Sequence, residues 1–305
     1  MQNNLSTLTT EMRNDRSATI DNMNTLDIIE TINKEDREVA QKVQDILPAI
    51  KETVDAVYHA MRQGGKLFYI GAGTSGRLGI LDAVECPPTF STPSDLVQGI
   101  IAGGDIAFRN AVEGAEDDPD QGAKDLKSHH VTELDVVIGI TSSGRTPYVI
   151  GALEYANKAG AKTISLSSNE NAVVSDYADI KMEVITGPEV LTGSTRMKAA
   201  SAHKMILNMI TTSSMIKIGK VYENLMVDVK VSNYKLKERA KSIIKTITGA
   251  SYEKTTRYLN AANNEVKPAI VMINTGVSYE EAKKFINVSN GFVRQAIQLA
   301  EKMNK

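Results

Sequence analysis

Hydroxyl side chains recur in this sequence where apolar runs give way to glycine. GAGTSGR at 71–77 and GITSSGR at 139–145 align at a constant offset of 68: Thr74 on Ser142, Ser75 on Ser143, Gly76 on Gly144 and Arg77 on Arg145. A third stretch, LTGSTRMK at 191–198, carries Ser194 and Thr195. Glycine-rich turns that open a helix present main-chain N–H groups and the positive end of a helix dipole to an anion. A phosphate monoester has three terminal oxygens, which hydroxyls and helix N-terminal amides can satisfy without a strong positive charge. One such turn is explained well enough by helix capping. Three on alternate connections point to a sugar-phosphate site built from Thr74, Ser75, Gly76, Ser142, Ser143, Gly144, Thr146, Ser194 and Thr195.

The first turn also spells GxGxxG at Gly71, Gly73 and Gly76, the pattern of a dinucleotide site. Two features oppose that reading. Thr74 and Ser75 place hydroxyls where a hydride enzyme needs only close backbone approach, and no acidic residue ends the run LVQGII at 96–101, Asp105 being the nearest substitute. A P-loop fails because Arg77 follows Gly76 where Lys and then Ser or Thr are required. The histidines, His59, His129, His130 and His203, show no metal-ligand spacing, so no metal is expected. His129 and His130 lie in polar DLKSHHVTEL and read as a solvated pair. Cys86 is the only cysteine, which excludes an intrachain disulfide, and a buried passive thiol is its expected role.

Holding three turns at one edge requires a sheet. Five short apolar runs, KLFYI (66–70), LVQGII (96–101), DVVIGI (135–140), TISLS (163–167) and IKMEVI (180–185), read as strands separated by helix-like segments. Pro147 and Gly160 bracket one such helix. The pattern predicts an α/β fold, a doubly wound five-stranded parallel sheet whose ligands bind beyond the carboxyl ends of the strands. Upstream, Val39, Val43, Ile46, Leu47, Ile50, Val54, Val57 and Met61 mark one helix face interrupted at Pro48 and ended by Gly64-Gly65. Pro87-Pro88 is expected to end the helix opened by GTSGR. The segment from Thr195 to about Gly219 predicts a long helix, with Ala199, Ala200, Ser201 and Ala202 suited to close packing in a core or a subunit interface. After Met226 the pattern turns helical, with a small bundle expected from about Ser251. Three parts are expected: an N-terminal arm and helix at 1–63, a phosphosugar-binding core at 64–225, and a helical C-terminal region at 226–305.

The 305 residues carry 42% apolar and 24% charged side chains, ordinary for a globular protein. Thirty-five basic against 37 acidic residues give a net charge of -2, with no basic stripe to suit nucleic acid or an anionic membrane. The polar start, MQNNLSTLTTEMRNDRS, lacks a signal-peptide core, and no apolar run approaches the roughly 20 residues of a membrane helix, so a cytoplasmic protein is expected.

The strand with GAGTSGR, the SSGRTP turn and the TGSTRMK turn resemble the sugar isomerase (SIS) domain, a fold that binds phosphosugars. GAGTSGRLGILDAVECPPTF (71–90), IAGG with AVEGAEDD (101–104 and 111–118) and LTGSTRMKAASAHK (191–204) more specifically resemble the N-acetylmuramic acid 6-phosphate etherase family. The resemblance runs from TEMRN (10–14) through NGFVRQA (290–296). It implies a lyase that needs no metal or redox cofactor and cleaves the D-lactyl ether of N-acetylmuramic acid 6-phosphate with water. The products would be N-acetylglucosamine 6-phosphate and D-lactate, formed by proton abstraction at carbon 2, elimination and rehydration. Glu85 matches the family's proton-donor glutamate and Glu116 its second glutamate, assigned as the base. Without the resemblance both would read as solvated loop carboxylates, Glu116 lying in an acidic run with Glu113, Asp117 and Asp118. Glu113 is a further possible ligand contact, and Arg77 and Arg145 suit either a phosphate or a surface salt bridge. The family also implies a homodimer with the site near the interface, working in amino-sugar catabolism and peptidoglycan recycling. Two rivals share the fold: a non-catalytic phosphosugar sensor resembling glucokinase regulatory protein, and a sugar-phosphate isomerase that leaves the ether intact.

Overall fold

A computed structural model of the chain describes residues 8–229, 231 and 233–303. It comprises two compact units, the first formed by residues up to Val84 together with Asp95–Thr211, the second by Glu85–Ser94 together with the residues from Thr212 onward.

In the first unit, helices α1 (Thr25–Asp36), α2 (Val39–Asp45) and α3 (Leu47–Arg62) precede the sheet. Asn24 caps α1 by accepting the Asp27 N–H. Pro48 sits in the first turn of α3, where its missing N–H costs nothing, so the apolar face foreseen from Val39 to Met61 is divided between α2 and α3. The strands are β1 (Leu67–Gly71), β2 (Val97–Ile101), β3 (Val136–Ile140), β4 (Lys162–Ser167) and β5 (Ile180–Glu183), all parallel, in the order β2-β1-β3-β4-β5. Every residue of β1 and β3 is buried, as expected of strands covered on both faces. The crossovers include α4 (Gly73–Phe90), α5 (Gly104–Arg109), α6 (Pro119–Ser128) and α7 (Pro147–Lys158); α8 (Lys198–Lys217) follows β5.

Two boundaries differ from expectation. Pro87 and Pro88 lie inside α4 rather than ending it. They remove two donors near its end, while buried Cys86 and Phe90 keep the segment packed; the helix stops only where Ser91 turns to φ 49° and donates its N–H to Pro87 O at 2.9 Å. Helix α8 begins at Lys198, not Thr195. The Glu189 carboxylate accepts the N–H groups of Lys198 and Ala199, each at 2.9 Å, and so does the work of a preceding turn. Ala199, Ala200 and Ala202 are buried within the single chain, which makes that small-residue face core.

The second unit holds a short antiparallel hairpin, β6 (Val221–Tyr222) with β7 (Leu225–Met226), which the sequence pattern did not signal. Five helices follow: α9 (Tyr234–Thr248), α10 (Tyr252–Ala261), α11 (Val266–Thr275), α12 (Tyr279–Val288) and α13 (Val293–Met303). Ile244, Leu259, Ile270, Phe285 and Ala296 contribute to their shared apolar core. The bundle thus starts at α9, with Asn233 as its cap, earlier than Ser251.

The N-terminal arm is fastened to the start of α8 by charge. Glu35 and Lys198 each expose 1% of the side chain and pair at 2.6 Å, and the same carboxylate accepts from Asn14 Nδ2 at 2.9 Å and Arg16 Nε at 2.5 Å. Breaking a buried pair by deleting one partner leaves an uncompensated charge and costs roughly 3–5 kcal/mol. Lys198→Met should therefore lose about that much stability in chemical denaturation, and adding Glu35→Gln should restore part of it. An additive double variant would show that the pair is not coupled.

Candidate active site

Adjacent parallel strands whose chains depart in opposite directions open a crevice at their carboxyl ends, and here β1 and β3 form that switch point. Gly71 pairs with Ile140 in register, so the segments after them, Ala72–Gly76 and Thr141–Arg145, leave from neighbouring strand ends. The two aligned hydroxyl turns therefore lie side by side by topology.

In the first turn, the Ser75 and Gly76 N–H groups donate to Ala72 O at 3.1 and 3.4 Å, and α4 starts at Gly73. Ser75 is buried and Thr74 half-buried. Gly76 is required by close approach: a Cβ there would come within 2.6 Å of both Gly71 O and Ile101 Cγ1. The second turn is organised by Thr141. Its hydroxyl lies 2.7 Å from Thr146 Oγ1 and 3.3 Å from Ser143 Oγ and accepts the Gly144 N–H at 3.2 Å. Gly144 has φ 71°, and a Cβ would meet Ala172 Cβ at 2.4 Å, so glycine is demanded twice over. Ser142 and Ser143 remain half-buried, and Arg145 Nη1 is a buried donor without a hydrogen-bond partner among the described residues.

The third turn is tied to the second through the N-terminal arm. Asn169, just past β4, donates to Ser142 O at 2.9 Å and to Thr10 Oγ1 at 3.1 Å. Asn14 Nδ2 reaches Pro188 O at 3.3 Å and Ser17 Oγ reaches Val190 O at 2.7 Å, immediately before Ser194 and Thr195. A Cβ at Gly193 would stand 3.2 Å from the Glu11 carboxylate, so the arm also lies against the turn itself.

Glu116 sits in a 3-10 turn, Ala115–Asp117, that follows Gly114 at φ 75°. It is exposed and lines a notch of about 220 Å³ together with Glu113, Ala72, Gly73 and Arg77. The structure thus brings Glu116 and Glu113 to the first hydroxyl turn. Glu85 is not among the residues of that notch; it stands exposed on α4, ten residues beyond Ser75, or about 15 Å along the helix. Arg77 pairs with no carboxylate among the described residues; its Nε donates to Phe108 O at 3.0 Å and its Nη2 to Ala107 O and Asn110 O at 2.8 and 3.1 Å. Among the described residues, no group of three or more His, Cys, Asp or Glu side chains could hold a metal ion, and no helix is long and apolar enough to cross a membrane.

Known proteins resemble the chain at two levels. The family profile for the glucokinase regulatory protein N-terminal SIS domain matches residues 49–157, and the SIS domain profile matches residues 118–213. N-acetylmuramic acid 6-phosphate etherase 1 of Bacillus licheniformis is 59% identical over 268 residues, covering 88% of each chain. The N-acetylmuramic acid 6-phosphate etherase of Bacillus subtilis is 60% identical over 270 residues, again covering 88% of each. That of Caldanaerobacter subterraneus is 54% identical over 268 residues, with the same coverage. The chain belongs to the N-acetylmuramic acid 6-phosphate etherase family.

For a family member, a second cavity has to be weighed against the notch. One of about 560 Å³ lies in the second unit, lined by Ser91, Asp228, Asn264, Lys267 and Lys283 among others. Its charges are already matched, Lys267 and Lys220 on Asp228 at 2.6 and 3.3 Å and Lys283 on Glu265 at 3.0 Å, although burial pushes the Lys267 ammonium below its usual range. Among the described residues, no turn like those at 74–76 and 142–144 lines it, so the smaller notch is the better candidate site.

Three buried polar residues, two of them bracing the second turn, escape the motif pattern of the sequence. Thr141 was hidden because it precedes the Ser-Ser-Gly motif it organises. Asp82, buried on α4, accepts from Tyr69 OH at 3.0 Å, Asn208 Nδ2 at 2.6 Å and Thr211 Oγ1 at 3.2 Å, and burial raises its pKa. A polar residue at a helical core position was the available signal. His203 carries no motif signal in the sequence. Fully buried on α8, it contacts Ser168 Oγ through Nε2 at 3.0 Å, and the Ser168 N–H donates to Ser142 O at 3.1 Å, so it supports the second turn.

Burial pushes the His203 pKa down to about 4 from 6.5. Between those values the unfolded chain binds the extra proton, so stability rises with pH across that window and is lost as the pH falls through it. The loss from this group should approach about 3 kcal/mol near pH 4. Denaturation midpoints of the wild type and His203→Gln between pH 4 and 7 measure it. The variant should lack this part of the slope; identical slopes would contradict a buried neutral imidazole.

Proposed function

We propose that the protein cleaves the D-lactyl ether of N-acetylmuramic acid 6-phosphate with water, giving N-acetylglucosamine 6-phosphate and D-lactate. The observation that carries this reading is the notch in which Glu116 shares walls with the first of the paired hydroxyl turns. Thr74, Ser75, Ser142, Ser143, Thr146, Ser194 and Thr195, with the helix N-termini behind them, suit the phosphate. Gly76 and Gly144 belong to the set as the residues that let each turn pack closely enough to hold its hydroxyls in place. In the open-chain sugar the aldehyde acidifies the carbon 2 proton, and Glu116 takes it. The proton for the lactyl oxygen, which leaves poorly as an alkoxide when its bond to carbon 3 breaks, is assigned to Glu85 on the family resemblance and not on the lining of the notch. Water then adds across the resulting double bond, its oxygen going to carbon 3 and a proton returning to carbon 2. An isomerase would instead return that proton to carbon 1 and keep the ether. A sensor would need neither carboxylate. The family membership favours the etherase over both.

A cytoplasmic homodimer belongs to this reading. Leu81 and Val84 are 45% and 57% exposed on α4 beside Glu85, an apolar strip suited to cover by a second copy. Light scattering should find a dimer for the wild type and a monomer for Val84→Glu; an active wild-type monomer would remove this part.

The two carboxylate roles are separable by experiment. Glu116→Gln should abolish both D-lactate release and exchange of the carbon 2 proton with solvent deuterium. Glu85→Gln should retain residual exchange while lactate release falls by about 10²–10⁴-fold, the usual worth of a general acid. Wild-type exchange in Glu116→Gln would make the base assignment wrong and turn attention to Glu113.

A further inference from the structure

We propose that Arg77 is a positioning residue for Glu116, holding the loop that carries the base rather than binding the substrate phosphate; its kinetic consequence rests on the etherase reading above. Arg77 follows Ser75 and Gly76 on the first turn of α4, where an arginine beside a phosphate-type turn invites assignment to the phosphate. Its hydrogen bonds run elsewhere, to the carbonyls of Ala107, Phe108 and Asn110. These lie at the carboxyl end of α5, where helical carbonyls lack intrahelical donors. A guanidinium is the side chain whose rigid fork can reach three such acceptors together.

Helix α5 has little stability of its own. It is six residues long and starts from two left-handed glycines, Gly103 at φ 86° and Gly104 at φ 67°. From Asn110 the chain runs without regular structure to the 3-10 turn that holds Glu116. Beyond Glu116 the path is fixed independently. Asp118 caps α6 by accepting the Gln121 N–H at 2.9 Å, and α7 lies so close that a Cβ on Gly151 would come within 2.0 Å of Pro119 O. The loop therefore has a packed downstream end, while its upstream end is fastened by the Arg77 clamp. Because Arg77 and Gly73 both belong to α4 and both line the notch, the clamp registers Glu116 against the turn proposed to hold the phosphate.

A general base acts only within hydrogen-bond reach of its proton, so a loosened loop should slow proton abstraction while leaving phosphate contacts in place. In full-length Arg77→Ala, kcat for D-lactate release should fall about 10²-fold, the typical penalty for a misplacement of about 1 Å. KM should stay within about threefold of wild type, because ground-state binding is kept. Exchange at carbon 2 should fall in parallel. Arg77→Lys should retain more activity than Arg77→Ala, and added guanidinium ion should partly rescue Arg77→Ala. Amide hydrogen exchange of residues 107–117 should quicken in both variants with the rest of the sheet domain unchanged, and Arg77→Lys serves alone should Arg77→Ala not fold.

Unchanged amide exchange at 107–117 would overturn the proposal. So would a large rise in KM with kcat preserved, which would assign Arg77 to the phosphate. Wild-type protein that releases no D-lactate would instead sink the etherase reading, and the amide measurement would still decide the clamp.

Discussion

At the middle of the sheet the chain leaves β1 toward one edge, to β2, and leaves β3 toward the other, to β4. The departing segments cannot cover the ground between them, so a crevice opens above the shared strand ends. Parallel pairing brings Gly71 level with Ile140, and both hydroxyl turns start within two residues of that level. Helices α4 and α7 begin in or just after these turns, which directs the positive ends of two helix dipoles toward the same place. An anion there meets polarised N–H groups and hydroxyls before any full charge. That economy fits a chain with a net charge of -2.

The third turn follows the edge strand β5 and does not share the switch point. It is held by polar bonds that cross the sequence at long range: Asn169 to Thr10 and Ser142, Asn14 to Pro188, Ser17 to Val190, and the Glu35 to Lys198 pair under them. Burying two opposite charges is costly unless they are matched and hydrogen-bonded, and Glu35 is given three partners. The N-terminal arm is thus part of the scaffold that holds the second and third turns. Its loss would leave a buried lysine at the start of α8 without its counter-ion.

Much of this was legible in the sequence for a simple reason. Strands buried on both faces must be short continuous apolar runs, so all five were visible to within about two residues, and the 68-residue repeat exposed the two turns at the switch point. What stayed hidden depends on contacts between residues far apart. Glu189 sets the start of α8 from nine residues upstream, and nothing local at Thr195 announces it. Pro87 and Pro88 look like a stop, yet buried neighbours carry α4 past them. Thr141 and His203 act through bonds to Thr146 and Ser168 that spacing does not reveal. Arg77 is the sharpest instance, because its place in an anion-type motif suggests a role its hydrogen bonds do not serve.

In the proposed etherase the substrate phosphate sits over the β1/β3 switch point with the sugar extending toward Glu116. A crystal structure of the protein with N-acetylglucosamine 6-phosphate tests it most directly. Phosphate oxygens should lie within hydrogen-bond distance of the Ser75 and Ser143 hydroxyls, with carbon 2 of the sugar directed at the Glu116 carboxylate. Density for the ligand in the Lys267-lined cavity of the second unit, with the two turns unoccupied, would contradict it.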